Sequence, residues 1–207
     1  MRPLDTPDAT RLRHAVRGLD HPPVAPGWNA GELADLVEAD APRRPAAVLV
    51  PFVRRGERLS ILFTRRNEHL RQHAGQISFP GGSVEPGDAD VIAAALRETD
   101  EETGIAPDQV EPFGYLDCFE TVSGYCVTPV AGFVDGDYPP YPHNEEVDEV
   151  FEVPLAFILE PASLRREHIV WRGRERDIFA FEWEGRRIWG ATAAILKNLL
   201  DRLENVA

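Results

Sequence analysis

The 207-residue chain is predicted to fold as an α/β protein, a mixed β-sheet covered by helices on both faces. Three observations lead there. Short apolar runs rich in β-branched and aromatic residues recur from Ala46 onward, separated by glycine turns. Two helix-prone stretches, VIAAALRETDEET and ATAAILKNLLDRL, interrupt and close that series. A hydrophobic fraction of 43% supplies a real core.

Residues 1–44 read as a proline-rich, partly helical extension, and residues 45–207 as the main domain. Short helices are expected over Asp8 to Val16 and Ala30 to Glu38, because the run HPPVAPG between them cannot continue a helix. AAVLVPFV and LSILFTRR flank an Arg55-Gly56-Glu57 turn and so form a hairpin. AGQISFPGG is a third strand ending at a tight glycine turn. Asp88 or Asp90 can cap the next helix, and Gly104 fits the left-handed position where it stops. Ile92, Ala95, Leu96 and Thr99 would be its core-facing stripe. EPFGYLDCFETVSGYCVTPVAGFVDG holds two or three strands, with a turn at Ser123-Gly124. EVFEVPL is a strand running into a helical turn, and HIVWRGRERDIFAFEWEGRRIWG a strand pair. Ile195, Leu196, Leu199, Leu200 and Leu203 mark the buried face of the terminal helix.

A net charge of -13 argues against nucleic-acid or anionic-membrane binding, which need a positive surface. An acidic protein acting on an anionic small molecule needs metal ions or a local arginine cluster. Cys118 and Cys126 are expected to be reduced residues on neighbouring strands. The first residues lack the apolar run of a signal peptide, and no window approaches a membrane span. A cytoplasmic protein is the expectation, with a homodimer left open.

Both charge-offsetting devices stand between Leu62 and Ile105. Glu98, Glu101 and Glu102 share a helix face by their spacing, just after the Phe79-Pro80-Gly81-Gly82 turn. Like charges so placed repel, and a hard divalent cation removes that cost. The Gly81 carbonyl could add an oxygen. Arg65, Arg66 and Arg71 precede the turn and could hold phosphates in forked geometry. The alternative is a solvated acidic helix face.

RETDEETGI matches Arg-Glu-U-x-Glu-Glu-x-Gly-U, where U is a bulky aliphatic, the end of the Nudix box. The chain therefore resembles Nudix hydrolases, which cleave a nucleoside diphosphate linked to another group. Thr99 stands where an aliphatic is usual. The box also places a Glu eight residues before the arginine; that position is Ala89, and Asp88 stands in its place one residue earlier. In the family this carboxylate contacts the arginine, here Arg97, and Asp88 is one residue and one methylene away from that arrangement. Upstream, Leu62, Thr64, Arg66, Arg71, Gly75, Phe79, Pro80, Gly81 and Gly82 follow a pattern resembling the signature of the coenzyme A pyrophosphatase branch. Phe63 and Asn67 depart from it.

The resemblance implies the Nudix fold, an α/β/α sandwich, and Mg²⁺ or Mn²⁺ as cofactor. Glu98 and Glu102 would be the principal metal ligands, with Glu101 and the Gly81 carbonyl as lesser ones. Arg66, Arg71 and Gly75 would serve substrate binding. The general base would be Glu98 or a glutamate of the NEEVDEVFEVPL segment: Glu145, Glu146 or Glu149, with Glu146 preferred. The implied reaction converts coenzyme A to 3′,5′-ADP and 4′-phosphopantetheine or its acyl form. Two rivals stay open: another nucleoside diphosphate substrate, such as ADP-ribose, a dinucleotide or a nucleotide sugar, or a non-catalytic ligand-binding module.

Overall fold

The computed structural model describes residues 9–37, 41–70, 73–135, 141–171 and 173–206. Asp8, Glu38 and Arg71 lie outside the described residues, so the expectations placed on them do too.

The hairpin forms as its alternation requires. Strands β1 (Arg44–Arg55) and β2 (Arg58–Arg66) pair antiparallel across the Arg55–Arg58 turn. After the short β3 (Ile77–Ser78) and β4 (Gly81–Ser83) comes helix α2, Val91–Thr103, which follows the N-terminal helix α1 (Ala9–Ala15). Strands β5 (Val110–Tyr115), β6 (Phe119–Glu120), β7 (Tyr125–Asp135) and β8 (Val147–Pro154) follow, then α3 (Leu155–Leu159). Three strands rather than two come next: β9 (Arg165–Trp171), β10 (Arg174–Trp183) and β11 (Arg186–Trp189), forming a separate antiparallel sheet. The terminal helix α4 is Ala191–Asn205.

The main sheet runs β3-β2-β1-β7-β5, with β4 on β1, β6 on β7 and β8 on β2. It is mixed because β1 and β7 pair parallel over Arg44–Arg54, whereas the other pairings are antiparallel. Its central strands are buried on both faces, as sandwiching between helices demands. Alternate residues part cleanly. Ala47, Leu49, Val53, Leu62, Val130 and Val134 pack with Ala94, Ala95 and Ile105 on the α2 side. Val50, Phe52, Ile61, Phe63, Ala131 and Phe133 pack with α1, α3 and α4 on the other. All five expected α4 residues are buried.

In α2 the buried set is Ala94, Ala95, Thr99, Glu102 and Thr103. Ile92 and Leu96, expected to be central to the stripe, are only partly buried at its edge. The helix is rotated toward its own glutamate, so Glu102 takes a place in the interior.

The N-terminal segment is fastened to both sheets. Leu12 and Ala15 enter the main core, and Arg17 pairs its backbone with Tyr115. The second expected helix is a 3₁₀ turn at Ala30–Leu33. Arg176 of β10 donates to Glu32 O at 2.9 Å and reaches Asp35 at 2.5 Å. Asp117 collects Arg17 at 2.7 Å, Arg202 at 2.9 Å and Asn198 at 3.0 Å. These hydrogen bonds and charges hold its carboxyl below the usual range although burial opposes them. Asp117→Ala takes the shared carboxylate from Arg17 and Arg202 and is expected to cost about 2 kcal/mol. By thermal unfolding that is a fall in Tm of roughly 4–8 °C; an unchanged Tm would contradict it.

The cysteines correct an expectation. Cys126 lies on β7 and Cys118 just before β6, and their sulfurs are bonded rather than reduced. Pairing of Glu120 with Cys126 sets Cys118 two residues along on the same face of the ladder. The Cα atoms are 6.4 Å apart, within reach of a disulfide.

Candidate active site

Period-two geometry in β2 sends Leu62, Thr64 and Arg66 to one face, the α2 face. Leu62 is core there. Thr64 Oγ1 stands 3.5 Å from Glu102 Oε2, and Arg66 Nη1 3.9 Å from Glu102 Oε1. A break in register between Arg65 and Arg66 ends the regular β2–β8 ladder at the arginine.

Helix α2 begins at Asp90, whose carboxylate accepts from Ala93 N at 2.8 Å. It ends at Gly104, left-handed with φ 72°, as expected from its place after the helical run. At about 100° per residue, Glu102 lies about 40° from Glu98 on one side and Glu101 about 60° on the other. That divides the three glutamates. Glu102 is 5% exposed and turns to the sheet. Glu98 lies against Gly82, where an added Cβ would come within 2.5 Å of its carboxylate. Glu101 is half exposed, its carboxylate 3.4 Å from Arg97 Nη1. Among the described residues, no three His, Cys, Asp or Glu side chains stand together as a set able to hold one ion.

Arg97 is the local anchor. It grips Asp88 by two parallel bonds, Nε to Oδ1 at 3.0 Å and Nη2 to Oδ2 at 3.1 Å. It also donates to Ser83 O at 3.1 Å and to Glu98 Oε1 at 3.0 Å. The displaced, shorter Asp88 thus still reaches the arginine. The bend of the loop accounts for this: Glu85 N donates to Asp88 Oδ2 at 2.7 Å and folds the extra residue inward. The Arg97 guanidinium holds the Asp88 carboxyl below its ordinary value.

Burial raises the carboxyl of Glu98 despite Arg97 beside it. Burial also pushes Glu102 up to about 8, with Glu98's charge adding to the rise and Arg66 and the Gly81 N–H opposing it. Two adjacent carboxylates are therefore withheld from water and incompletely neutralised by protein. That donor set fits a hard divalent cation bound through Glu98 and Glu102.

Arg66 spans two carboxylates: besides Glu102, its Nη2 donates to Glu146 Oε2 at 3.0 Å. Its buried Nε has no partner among the described residues. Glu146 itself is exposed, and Glu145 beside it likewise. Glu149 is engaged elsewhere, by Arg186 at 2.6 Å and Arg65 at 3.4 Å. Gly75 meets the site through backbone: with φ 67° and its N–H on Arg66 O at 3.1 Å, it closes the loop after β2. Next to the Arg66–Glu146 pair opens a cleft of about 640 Å³ lined by Asn67, His69, Leu70, Asn144, Glu146 and Val147. Thr64 stood in the pattern from Leu62 to Gly82 with no site role of its own, although it alternates with Arg66. Asn144 was not singled out; its signal was an Asn two residues before a glutamate, a turn pattern.

The family model of the NUDIX domain matches residues 42–172. A protein of Escherichia fergusonii named uncharacterized Nudix hydrolase NudL is 45% identical over 156 residues, 75% of this chain and 81% of that protein. A Shigella boydii protein of the same name is 46% identical over the same shares. Among solved structures, the MutT protein of Methanosarcina mazei aligns with 81% of this chain and 97% of its own at 20% identity and a TM-score of 0.50. A MutT/nudix family protein of Enterococcus faecalis aligns with 86% of this chain and 68% of its own at 19% identity and the same TM-score. These two likenesses concern the fold. With the box motif, the mixed sheet and the helix that carries its glutamates, they lead to one conclusion: the chain belongs to the Nudix hydrolase family.

Proposed function

We propose that the protein hydrolyses the diphosphate bond of coenzyme A or its acyl derivatives in the presence of Mg²⁺ or Mn²⁺. The observation that carries the reading is Arg66, held between Glu102 and Glu146 with its Nε unpartnered among the described residues, beside the paired carboxylates of Glu98 and Glu102. An arginine fork so placed is a phosphate site. Support for coenzyme A over other diphosphates comes from the pattern between Leu62 and Gly82, to which Arg66 and Arg71 belong.

Glu98 and Glu102 would hold the metal, with Glu101 and the Gly81 carbonyl as lesser ligands. A bound divalent ion polarises phosphoryl oxygens, neutralises the leaving group and makes a nearby water more acidic. The chain's own residues do the rest. Arg97 fixes Glu98 from the side, and Asp88 fixes Arg97. The Arg66 guanidinium takes a phosphate oxygen, and in doing so gives up part of its hold on Glu146. Glu146, freed and solvent-facing, then accepts the proton of the attacking water. Thr64 and the Gly81 N–H keep the Glu102 carboxylate aimed toward Arg66 and the glycine turn.

Chromatography of coenzyme A incubated with the protein and Mg²⁺ or Mn²⁺ tests the reading. The expected products are 3′,5′-ADP and 4′-phosphopantetheine, and none with chelator. Intact coenzyme A under both metals would overturn it.

A further inference from the structure

We propose that Asn144 is a positioning residue, which sets Glu146 against Arg66 and ties that pair to the Glu102 end of α2. The inference rests on the role given above to Glu146. Residues 143–147 touch both carboxylate-bearing elements. His143 N donates to Glu102 O at 3.1 Å. One residue on, Asn144 Oδ1 accepts from Glu146 N at 2.9 Å and from Val147 N at 3.2 Å. Two N–H groups aimed at one atom identify that atom as the oxygen. The far side of the turn is pinned as well, because Asn67 N donates to Glu146 O at 2.8 Å and Val147, 4% exposed, pairs with Arg66.

The backbone of Glu146 is thus held on both sides, while its side chain accepts from Arg66 Nη2 at 3.0 Å. With the Asn144 oxygen gone, the exposed Glu146 N–H can turn to water, and the partly buried Val147 N–H gives up one long bond of 3.2 Å. The fold would survive, but the direction of Glu146 from its backbone would no longer be set. The loss would fall on turnover and only slightly on stability, because Asn144 is itself exposed and buries nothing.

A double-mutant cycle tests this, run on whichever of coenzyme A, ADP-ribose and a dinucleotide the wild type cleaves fastest, with Mg²⁺. Asn144→Ala is expected to lower kcat about 10-fold, with KM within about twofold and Tm nearly unchanged. Asn144→Asp keeps the acceptor and should recover to within about threefold of wild type. In a Glu146→Gln background, Asn144→Ala should add no further loss, since its effect passes through Glu146. Multiplying losses would overturn the inference, as would full activity of Asn144→Ala beside an impaired Glu146→Gln. A fully active Glu146→Gln would remove the underlying reading of Glu146, and the inference with it. Should the alanine variant unfold, Asn144→Gln, whose longer arm misplaces the oxygen, replaces it in the cycle with the same expected losses.

Discussion

Glu102→Gln is expected to fold and to lose turnover by on the order of 10²–10³-fold, with Mg²⁺ at saturation. The side chain keeps its shape and its contacts with Thr64 and the Gly81 N–H, but it no longer offers a charge to a cation. The same change has a second, opposite consequence in the metal-free protein. Burial raises the Glu102 carboxyl from 4.5 to about 8, so between those values the folded chain holds a proton that the unfolded chain has released. The unfolded state then binds fewer protons, and stability from this group falls as pH rises through that window. The size is on the order of a few kcal/mol at and above pH 8. Glutamine has no such dependence. In chelator, Tm of Glu102→Gln should match wild type near pH 5 and exceed it increasingly toward pH 8. Parallel Tm curves would contradict the burial of this carboxylate, and undiminished turnover with Mg²⁺ would contradict its role in holding the cation.

The adjacent glycines should fail in different ways when each is changed to alanine. A Cβ at Gly81 would stand 2.4 Å from Ala47 O and 2.6 Å from Val48 Cα, both backbone atoms of β1. Neither can move without opening the β4–β1 pairing, and φ at Gly81 is 153°. Gly81→Ala is expected to cost about 3 kcal/mol or more. At Gly82 the Cβ would meet the Glu98 carboxylate instead, its carbon and one oxygen at 2.5 Å. A carboxylate at the end of a flexible side chain can swing away. Gly82→Ala should then lose at most about 1 kcal/mol of stability, while turnover falls on the order of 10²-fold because Glu98 is displaced. Denaturant unfolding and kcat measured on both variants check the pair. A stable, inactive Gly81→Ala with an unstable Gly82→Ala would reverse the assignment.

What was legible in the chain was local. Alternation exposed the β1–β2 hairpin, and the stripe of leucines exposed α4, because both periods are written in adjacent residues. Gly104 marked the end of α2 for the same reason, and its start was narrowed to Asp88 or Asp90, of which Asp90 is the cap. The parallel pairing of β1 with β7 was not legible, since nothing in either strand's own pattern names a partner some 80 residues away. Nor was the third strand of the small sheet, or the disulfide, which follows from the β6–β7 register.

The site divides along the same line. The box spacing placed Glu98 and Glu102 together correctly on one helix, but spacing alone gave Glu101 an equal standing. The rotation of α2 onto the sheet buries Glu102 and leaves Glu101 at the surface with Arg97. The grip of Asp88 on Arg97 depends on how the loop from Ser83 folds, which a one-residue insertion in a sequence pattern does not reveal. Arg66 and Glu146, 80 residues apart, meet only because β2 and β8 are neighbours.

The central claim is that Arg66 and the paired carboxylates serve a coenzyme A diphosphate. A competition measurement addresses it most directly: coenzyme A and ADP-ribose at equal concentration in one reaction with Mg²⁺, with both sets of products separated and timed. The account predicts faster cleavage of coenzyme A, and loss of that cleavage in Glu102→Gln. Preferential cleavage of ADP-ribose, with coenzyme A spared, would contradict it.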